Sequence, residues 1–156
     1  MVDNIVKVQV TLGEDETYAG EWDKTSNRPH GLGIYCWPKF NEKYEGEFNQ
    51  GVAHGKGIKT EGNGNIYEGM FENDLYCGKG KLTTDSIICT GIFNQGKLHG
   101  FAKITNADGN VVQYEGYFLK GTPVPEDVYK KAKEDDGFDA KSYIERLKNV
   151  NNSLDV

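Results

Sequence analysis

The chain has 156 residues, enough for one domain, yet only 37% are hydrophobic, and 20 glycines stand beside nine tyrosines and seven phenylalanines; this favours short aromatic strands broken by turns over helices or a disordered chain. The formal net charge of −6 excludes a nucleic-acid backbone as main partner, because affinity for phosphate comes from clustered lysine and arginine. Cys36, Cys77 and Cys89 lack a disulfide-scaffold spacing, and no apolar run reaches the length of a signal-peptide core or membrane span, so free thiols in a reducing cytoplasm are expected.

The first predicted element is a strand over Ile5–Leu12, where Val6, Val8, Val10 and Leu12 alternate with Lys7, Gln9 and Thr11. The turn Gly13-Glu-Asp-Glu16 joins it to a second strand over Thr17–Trp22. The first strand reads as the unpaired half of a repeat, with a free outer edge that invites self-association.

From residue 18 a unit recurs: aromatic-x-Gly-x-aromatic. It stands as Tyr18-Ala-Gly20-Glu-Trp22, Tyr44-Glu-Gly46-Glu-Phe48, Tyr67-Glu-Gly69-Met-Phe71 and Tyr114-Glu-Gly116-Tyr-Phe118, with a fifth copy, Cys89-Thr-Gly91-Ile-Phe93, that lacks the leading ring. After a polar turn comes a second signature: His30-Gly-Leu-Gly33, His54-Gly-Lys-Gly57, Cys77-Gly-Lys-Gly80 and His99-Gly-Phe-Ala102. Turn formers such as Asn49-Gln-Gly51, Glu72-Asn-Asp74 and Asn94-Gln-Gly96 separate the two, which predicts one hairpin per repeat. Alternation puts Tyr44, Gly46 and Phe48 on one face and Glu45 and Glu47 on the other, with Gly55 and Gly57 sharing a face on the next strand. A strand glycine marks a place where something large meets the backbone. Each hairpin's rings are therefore expected to cover the next hairpin's glycines, so that stacking makes the core.

These signatures resemble the MORN repeat family over residues 18–121. The resemblance implies an all-β fold: an elongated, twisted, single-layer antiparallel sheet of stacked hairpins with a groove along its concave side. The expected organisation is a repeat sheet over 1–121, with repeats starting near 18, 44, 67, 89 and 114, then a C-terminal helical extension over 122–150 and a flexible tail over 151–156. The sequence departs from the family pattern in the long turn Asp23–Pro29, in Cys77 and Cys89, and in Ala102.

After Thr122-Pro-Val-Pro125 the prolines end the sheet and open a helix over 126–135. Gly137 separates it from a second helix over 139–149, whose stripe Ala140, Tyr143, Ile144, Leu147 and Val150 is expected to cap the last hairpin.

His30, His54, Cys77 and His99 occupy equivalent repeat positions. Such positions lie two strands apart, roughly 10 Å at about 4.8 Å per strand, whereas ligands about 2.0–2.3 Å from one zinc nearly touch. A packing role, with the ring bonded to a turn, is expected, and no metal site. Glu21, Glu45, Glu47, Glu68 and Glu115 recur with the repeat and read as a solvated face balanced by Lys56, Lys79, Lys81 and Lys97. No Ser-His-Asp set, Walker loop or nucleophile elbow stands in the chain, and its Gly-x-Gly signatures lie inside strands. No catalytic residue and no cofactor is expected, and the chain reads as a non-enzyme.

A single layer cannot bury every ring on one face, and an open row of rings marks a binding surface. The candidate groove residues are Tyr18, Trp22, Tyr35, Trp37, Tyr44, Phe48, Tyr67, Phe71, Phe93, Tyr114 and Phe118, with the aromatic-rich stretch of Tyr35, Trp37 and Phe40 as the first place to seek a hot spot. The function expected is a protein-interaction adaptor or scaffold whose groove holds a partner peptide or helix. By the resemblance, that partner is a myosin tail or another cytoskeletal component, and the setting is cytoplasmic, on cytoskeleton or membrane. The resemblance leaves two alternatives: phosphoinositide or membrane attachment, and a regulatory segment of a larger enzyme such as a SET-domain lysine methyltransferase. Eleven bases against twelve acids across residues 18–121 weigh against binding anionic lipid, which takes clustered bases.

Overall fold

The computed structural model describes residues 4–135 and 137–145. Eleven strands follow in chain order: β1 (Ile5–Leu12), β2 (Glu16–Asp23), β3 (Arg28–Trp37), β4 (Glu42–Asn49), β5 (Val52–Thr60), β6 (Ile66–Glu72), β7 (Leu75–Thr83), β8 (Ile87–Asn94), β9 (Lys97–Asn106), β10 (Val112–Leu119) and β11 (Thr122–Val124). Each pairs antiparallel with its chain neighbours in one open sheet. The helix α1 (Glu126–Glu134) and a second short helix over 140–145 complete the chain as described. The expected all-β single layer of hairpins is the fold.

Local chemistry places the turns. Gln50-Gly51, Asn73-Asp74, Gln95-Gly96 and Lys120-Gly121 all have positive φ at both positions, the I′ turn geometry whose twist matches paired strands. The longer β2–β3 turn holds itself together: the Asp23 carboxylate accepts from the amides of Thr25 (2.8 Å) and Ser26 (3.3 Å) and from the Ser26 hydroxyl (2.8 Å). An aspartate bonded to the backbone two residues on is a self-contained turn.

Strand pairing then sets glycine against glycine. Gly20, Gly33, Gly46, Gly57, Gly69, Gly80 and Gly91 are successive cross-strand partners, and the line runs on through Ala102 and Gly116. At its other end it stops at Val8, opposite Gly20. On one face, tyrosine rings lie on this line. A β-carbon built on Gly57 would stand 2.5 Å from Cε2 of Tyr44, and one on Gly80 would stand 2.5 Å from Cζ of Tyr67. The hydroxyls reach past the line to donate to main-chain carbonyls: Tyr18 to Glu21 (2.6 Å), Tyr44 to Glu47 (2.9 Å) and Tyr67 to Met70 (3.2 Å).

The rings thus cover the glycines of their own hairpin, which corrects the expectation that they cover those of the next. The contact between repeats is made by the following phenylalanine instead. Phe48 meets Tyr18 at 5.3 Å, Phe71 meets Tyr44 at 4.9 Å and Phe93 meets Tyr67 at 5.1 Å, all edge-on, the arrangement that the ring quadrupoles favour. Tyr18, Tyr44, Phe48, Ala53, Tyr67, Phe71 and Phe93 form one buried cluster, flanked by Val8, Val10, Leu12, Trp22, Tyr35, Trp37, Tyr76, Leu82 and Leu98.

Burial of these phenols has a pH consequence. Loss of hydration holds Tyr18, Tyr35 and Tyr67 in their neutral form, their pKa pushed up to about 12, and raises Tyr44 and Tyr76 as well. An unfolded tyrosine ionises near pH ~10, so the folded state holds more protons above that value and stability falls as pH rises. The contribution is complete below pH ~10 and disappears as pH passes about 12 for Tyr18, Tyr35 and Tyr67. Denaturation midpoints measured from pH 8 upward should hold steady and then drop steeply above pH ~10, together with the tyrosinate absorbance. More than four of the nine tyrosines ionising near pH ~10 in protein that is still folded would contradict the burial of these five.

The C-terminal end departs from expectation in two ways. The last hairpin extends past 121, because Pro123 is accommodated in β11, an edge strand where its missing N–H faces away from β10. Among the described residues it is also α1 that packs on the sheet. Val128 is fully buried and the Tyr129 ring stacks on Tyr117 at 5.0 Å. Tyr143 instead packs within the extension, on Phe138 at 5.3 Å and beneath the Lys131 ammonium at 4.1 Å. Leu147, Val150 and the tail over 151–156 lie outside the described residues.

Candidate functional site

The ring-bearing face is not the open groove expected of it. Tyr18, Tyr44, Phe48, Tyr67, Phe71, Phe93 and Phe118 are buried as core, Tyr18 and Tyr67 completely. This corrects the expectation of an open row of rings: the tyrosines are buried because the glycines beneath them let them lie flat on the backbone, and the phenylalanines because they pack edge-on against tyrosines. Trp22, Tyr35, Trp37 and Tyr114 are half-buried on the same face. Among them Tyr35 and Trp37 are brought together, stacked at 4.2 Å, and the Tyr35 hydroxyl donates to the Glu16 carboxylate at 2.6 Å. Phe40, on the short 3₁₀ turn Pro38–Phe40, is 59% exposed. Trp37, Pro38 and Phe40 face Glu14, Asp15 and Glu16 across a cleft of about 290 Å³.

An open groove runs along the glycine line on the opposite face. Its floor is the bare backbone of Gly57, Gly69, Gly80 and Gly91, and it encloses about 990 Å³. One wall carries Glu45, Ile58, Glu68, Lys81 and Thr90, and the other Lys56, Met70, Lys79 and Ile92. A second stretch of about 430 Å³ continues it past Glu45 along Gly46, Gly33 and Gly20, between Ile34 and Leu32. Ile58 and Leu32 are 43% and 63% exposed. No residue of α1 lines either stretch.

Two of the glutamates expected to be solvated do structural work at this groove. The Glu21 carboxylate accepts from the Leu32 amide (2.6 Å) and the Glu47 carboxylate from the Lys56 amide (2.9 Å). These amides follow Gly31 and Gly55, whose positive φ forms the register shift in each hairpin. In the next two repeats Met70 and Ile92 occupy the glutamate position and lie against Gly78 and Gly100. The groove therefore passes from polar to apolar along its length. Lys56, Lys79, Lys81 and Lys97 form no ion pair among the described residues; Lys43 pairs with Glu45 at 2.9 Å instead.

The repeat histidines divide. His99 Nδ1 accepts from the Lys120 amide in the next turn at 3.4 Å, whereas Nδ1 of His30 and of His54 is buried without a partner. No group of three or more His, Cys, Asp or Glu placed to hold a metal is found among the described residues. Cys36, Cys77 and Cys89 are free thiols, and burial pushes those of Cys77 and Cys89 up.

The repeating unit is thus a tyrosine on a glycine pair, a phenylalanine on the previous tyrosine and a glycine bulge. The family model for the MORN repeat matches residues 18–42, 44–66, 67–86 and 89–111. The chain belongs to the MORN repeat family. Its hairpin β10–β11, with Tyr114, Gly116 and Phe118 on the first strand and a shortened second strand, lies beyond the matched MORN repeats.

Among curated proteins the chain is similar to the human ALS2 C-terminal-like protein, at 34% identity over 92 residues, which is 54% of this chain and 9% of that protein. It is similar to human alsin at 31% identity over 105 residues, 47% of this chain and 6% of alsin. The bovine ALS2 C-terminal-like protein is 32% identical over 97 residues, 58% of this chain and 10% of that protein. The chain thus spans a tenth or less of the length of these relatives. MORN repeats indicate a protein-interaction or membrane-associated module, and the repeat is not itself an enzyme domain.

Proposed function

We propose that the chain is a non-enzymatic adaptor that holds a peptide or helix of a protein partner in the glycine-floored groove. The observation that carries this reading is the groove's make-up. A helix is about 10–12 Å across with its side chains, and a groove floored by glycines brings a ligand against the sheet backbone. Ile58, Met70 and Ile92 supply the apolar contact, and Glu45, Glu68, Lys56, Lys79 and Lys81 supply charges of both signs to fix register. A cytoskeletal segment such as a myosin tail, in the cytoplasm, is the partner class that the family resemblance supports. Mixed charge in the groove favours a protein over an anionic lipid, for which each clustered base contributes about 1 kcal/mol.

Ile58→Lys tests the groove without disturbing the core, since Ile58 is 43% exposed and stands between Glu45 and Glu68 on the neighbouring strands, where a lysine meets opposite charges. Affinity purification followed by direct titration of the recovered partner should show binding at least tenfold weaker in Ile58→Lys at unchanged melting temperature. Undiminished binding by that variant, or salt-resistant flotation of the wild type with phosphoinositide vesicles and no protein partner, would overturn the reading.

A further inference from the structure

The two edges of the sheet are built differently. At the C-terminal edge β11 is three residues long, contains Pro123, and leads straight into α1, which packs on β10. Short strands, prolines and covering helices are the usual ways of closing an edge. At the other edge β1 has eight residues without proline, pairs with β2 over its whole length without a register shift, and among the described residues nothing pairs with its outer side.

The backbone groups that β1 presents outward can be named. The Lys24 amide donates to the Asn4 carbonyl at 2.9 Å, which makes Asn4 and Lys24 a hydrogen-bonded pair. Such pairs alternate along an antiparallel ladder, so Val6, Val8, Val10 and Leu12 turn their N–H and C=O groups toward β2. Ile5, Lys7, Gln9 and Thr11 turn theirs away from the sheet. Val8 also decides what does not fit there. It stands where interior strands carry the glycine that seats a tyrosine ring, and its side chain fills the space such a ring needs. A further hairpin of the repeat type cannot stack on β1.

We propose that β1 is a self-pairing edge, where a second copy of this chain adds its own β1 antiparallel and the two sheets become one. The strand is self-complementary about Val8. With Val8 opposite Val8 of the second copy, Lys7 lies opposite Gln9 and Ile5 opposite Thr11, so every outward donor meets an outward acceptor. Val6 lies opposite Val10, which gives a cross-strand ladder of valines on the face that bears the core. No like charges stand opposite each other in this register, and the two-fold axis runs perpendicular to the sheet, so the aromatic faces stay on the same side. Four outward residues in each copy supply about eight main-chain bonds, within the ~10 ± 5 of an ordinary interface.

The test is the mass of the full chain in solution, by sedimentation equilibrium, beside three variants. Wild type should reach twice its 17.4 kDa mass. Gln9→Pro removes an outward N–H that β2 does not use, so it should stay monomeric and melt where wild type melts when diluted to monomer; Val8→Pro, which removes a bond to β2, should melt lower than either. Val8→Cys, oxidised, should yield a dimer cross-linked through position 8, since residues opposite each other in a non-hydrogen-bonded pair lie about 4.5 Å apart at Cα, within disulfide reach. A monomeric wild type overturns the proposal, as does a dimer that survives Gln9→Pro and forms no cross-link through position 8. Monomeric wild type that captures another protein's strand, and loses it in Gln9→Pro, would also overturn it, by making the edge an acceptor for foreign strands.

Discussion

Tyr44→Ala is expected to lower the unfolding free energy by about 3–5 kcal/mol, the cost of deleting a large buried aromatic ring. The ring is 2% exposed, meets Phe48 at 5.0 Å and Phe71 at 4.9 Å, and its hydroxyl satisfies the Glu47 carbonyl at 2.9 Å. Nothing nearby can fill the space, because the residues beneath the ring are Gly46 and Gly57. In a single layer the loss falls on a junction between repeats, so the hairpins on either side lose their mutual contact as well. Trp37→Ala is the comparison, because Trp37 is half-buried and stacks on Tyr35 at the rim of the cluster; its cost should be clearly smaller. Urea denaturation followed by tyrosine fluorescence measures both. Equal midpoints for the two variants would mean that the tyrosine–phenylalanine ladder is not the core. The same magnitude shows why partner binding is best tested at Ile58, on the other face: a ring deletion weakens the fold along with any surface.

The sequence carried the fold because its strongest signals are local. Strict alternation in Ile5–Leu12 and the turn pairs at Gln50-Gly51 and Asn73-Asp74 fix strands and hairpins within a few residues of each other. Recurrence of the aromatic-x-Gly-x-aromatic unit then stacks them in order. What was not legible depends on reach and on bulges. Which glycines a tyrosine covers follows from how its side chain leans, and the lean is set by the hydroxyl finding the carbonyl three residues on. Alternation also placed Gly55 and Gly57 together, but Gly55 takes a φ of +65° at the bulge, and only Gly57 seats a ring. Glu47 looked like part of a solvated row because its partner, the Lys56 amide, is freed only by that bulge. A signal for this was present: the residue after the first-strand glycine is Glu21, then Glu47, then Met70, then Ile92, and a solvated face has no reason to change in that order. The burial of the ring-bearing face escaped the sequence for a related reason. A row of rings looks like a binding surface until it is known that glycines let the rings lie flat and become core.

Cys89→Tyr is expected to destabilise the protein, although it restores the family's own residue. Cys89 stands where the other repeats have Tyr18, Tyr44 and Tyr67, and Ala102 stands where they have Gly33, Gly57 and Gly80. The two departures are one: a tyrosine at 89 would lie on position 102, where a methyl group already sits, fully buried. The corresponding methyl at Gly57 would stand 2.5 Å from the Tyr44 ring, which shows how little room there is. Forcing a ring into a packed site costs about 1–3 kcal/mol. Ala102→Gly alone should cost about 0.5–1 kcal/mol, because glycine in a strand loses more backbone freedom on folding. Combined, the two changes rebuild the ring-on-glycine seat, and the new ring gains an edge for Phe118, which among the described residues pairs with the Tyr114 ring alone, at 5.2 Å. The double variant should therefore be more stable than the sum of the single changes allows, with a coupling of about 1–3 kcal/mol, measured by urea denaturation of all four proteins. Strict additivity would mean that Cys89 and Ala102 do not share a site, and that the break in the ring ladder between β8 and β10 has another cause.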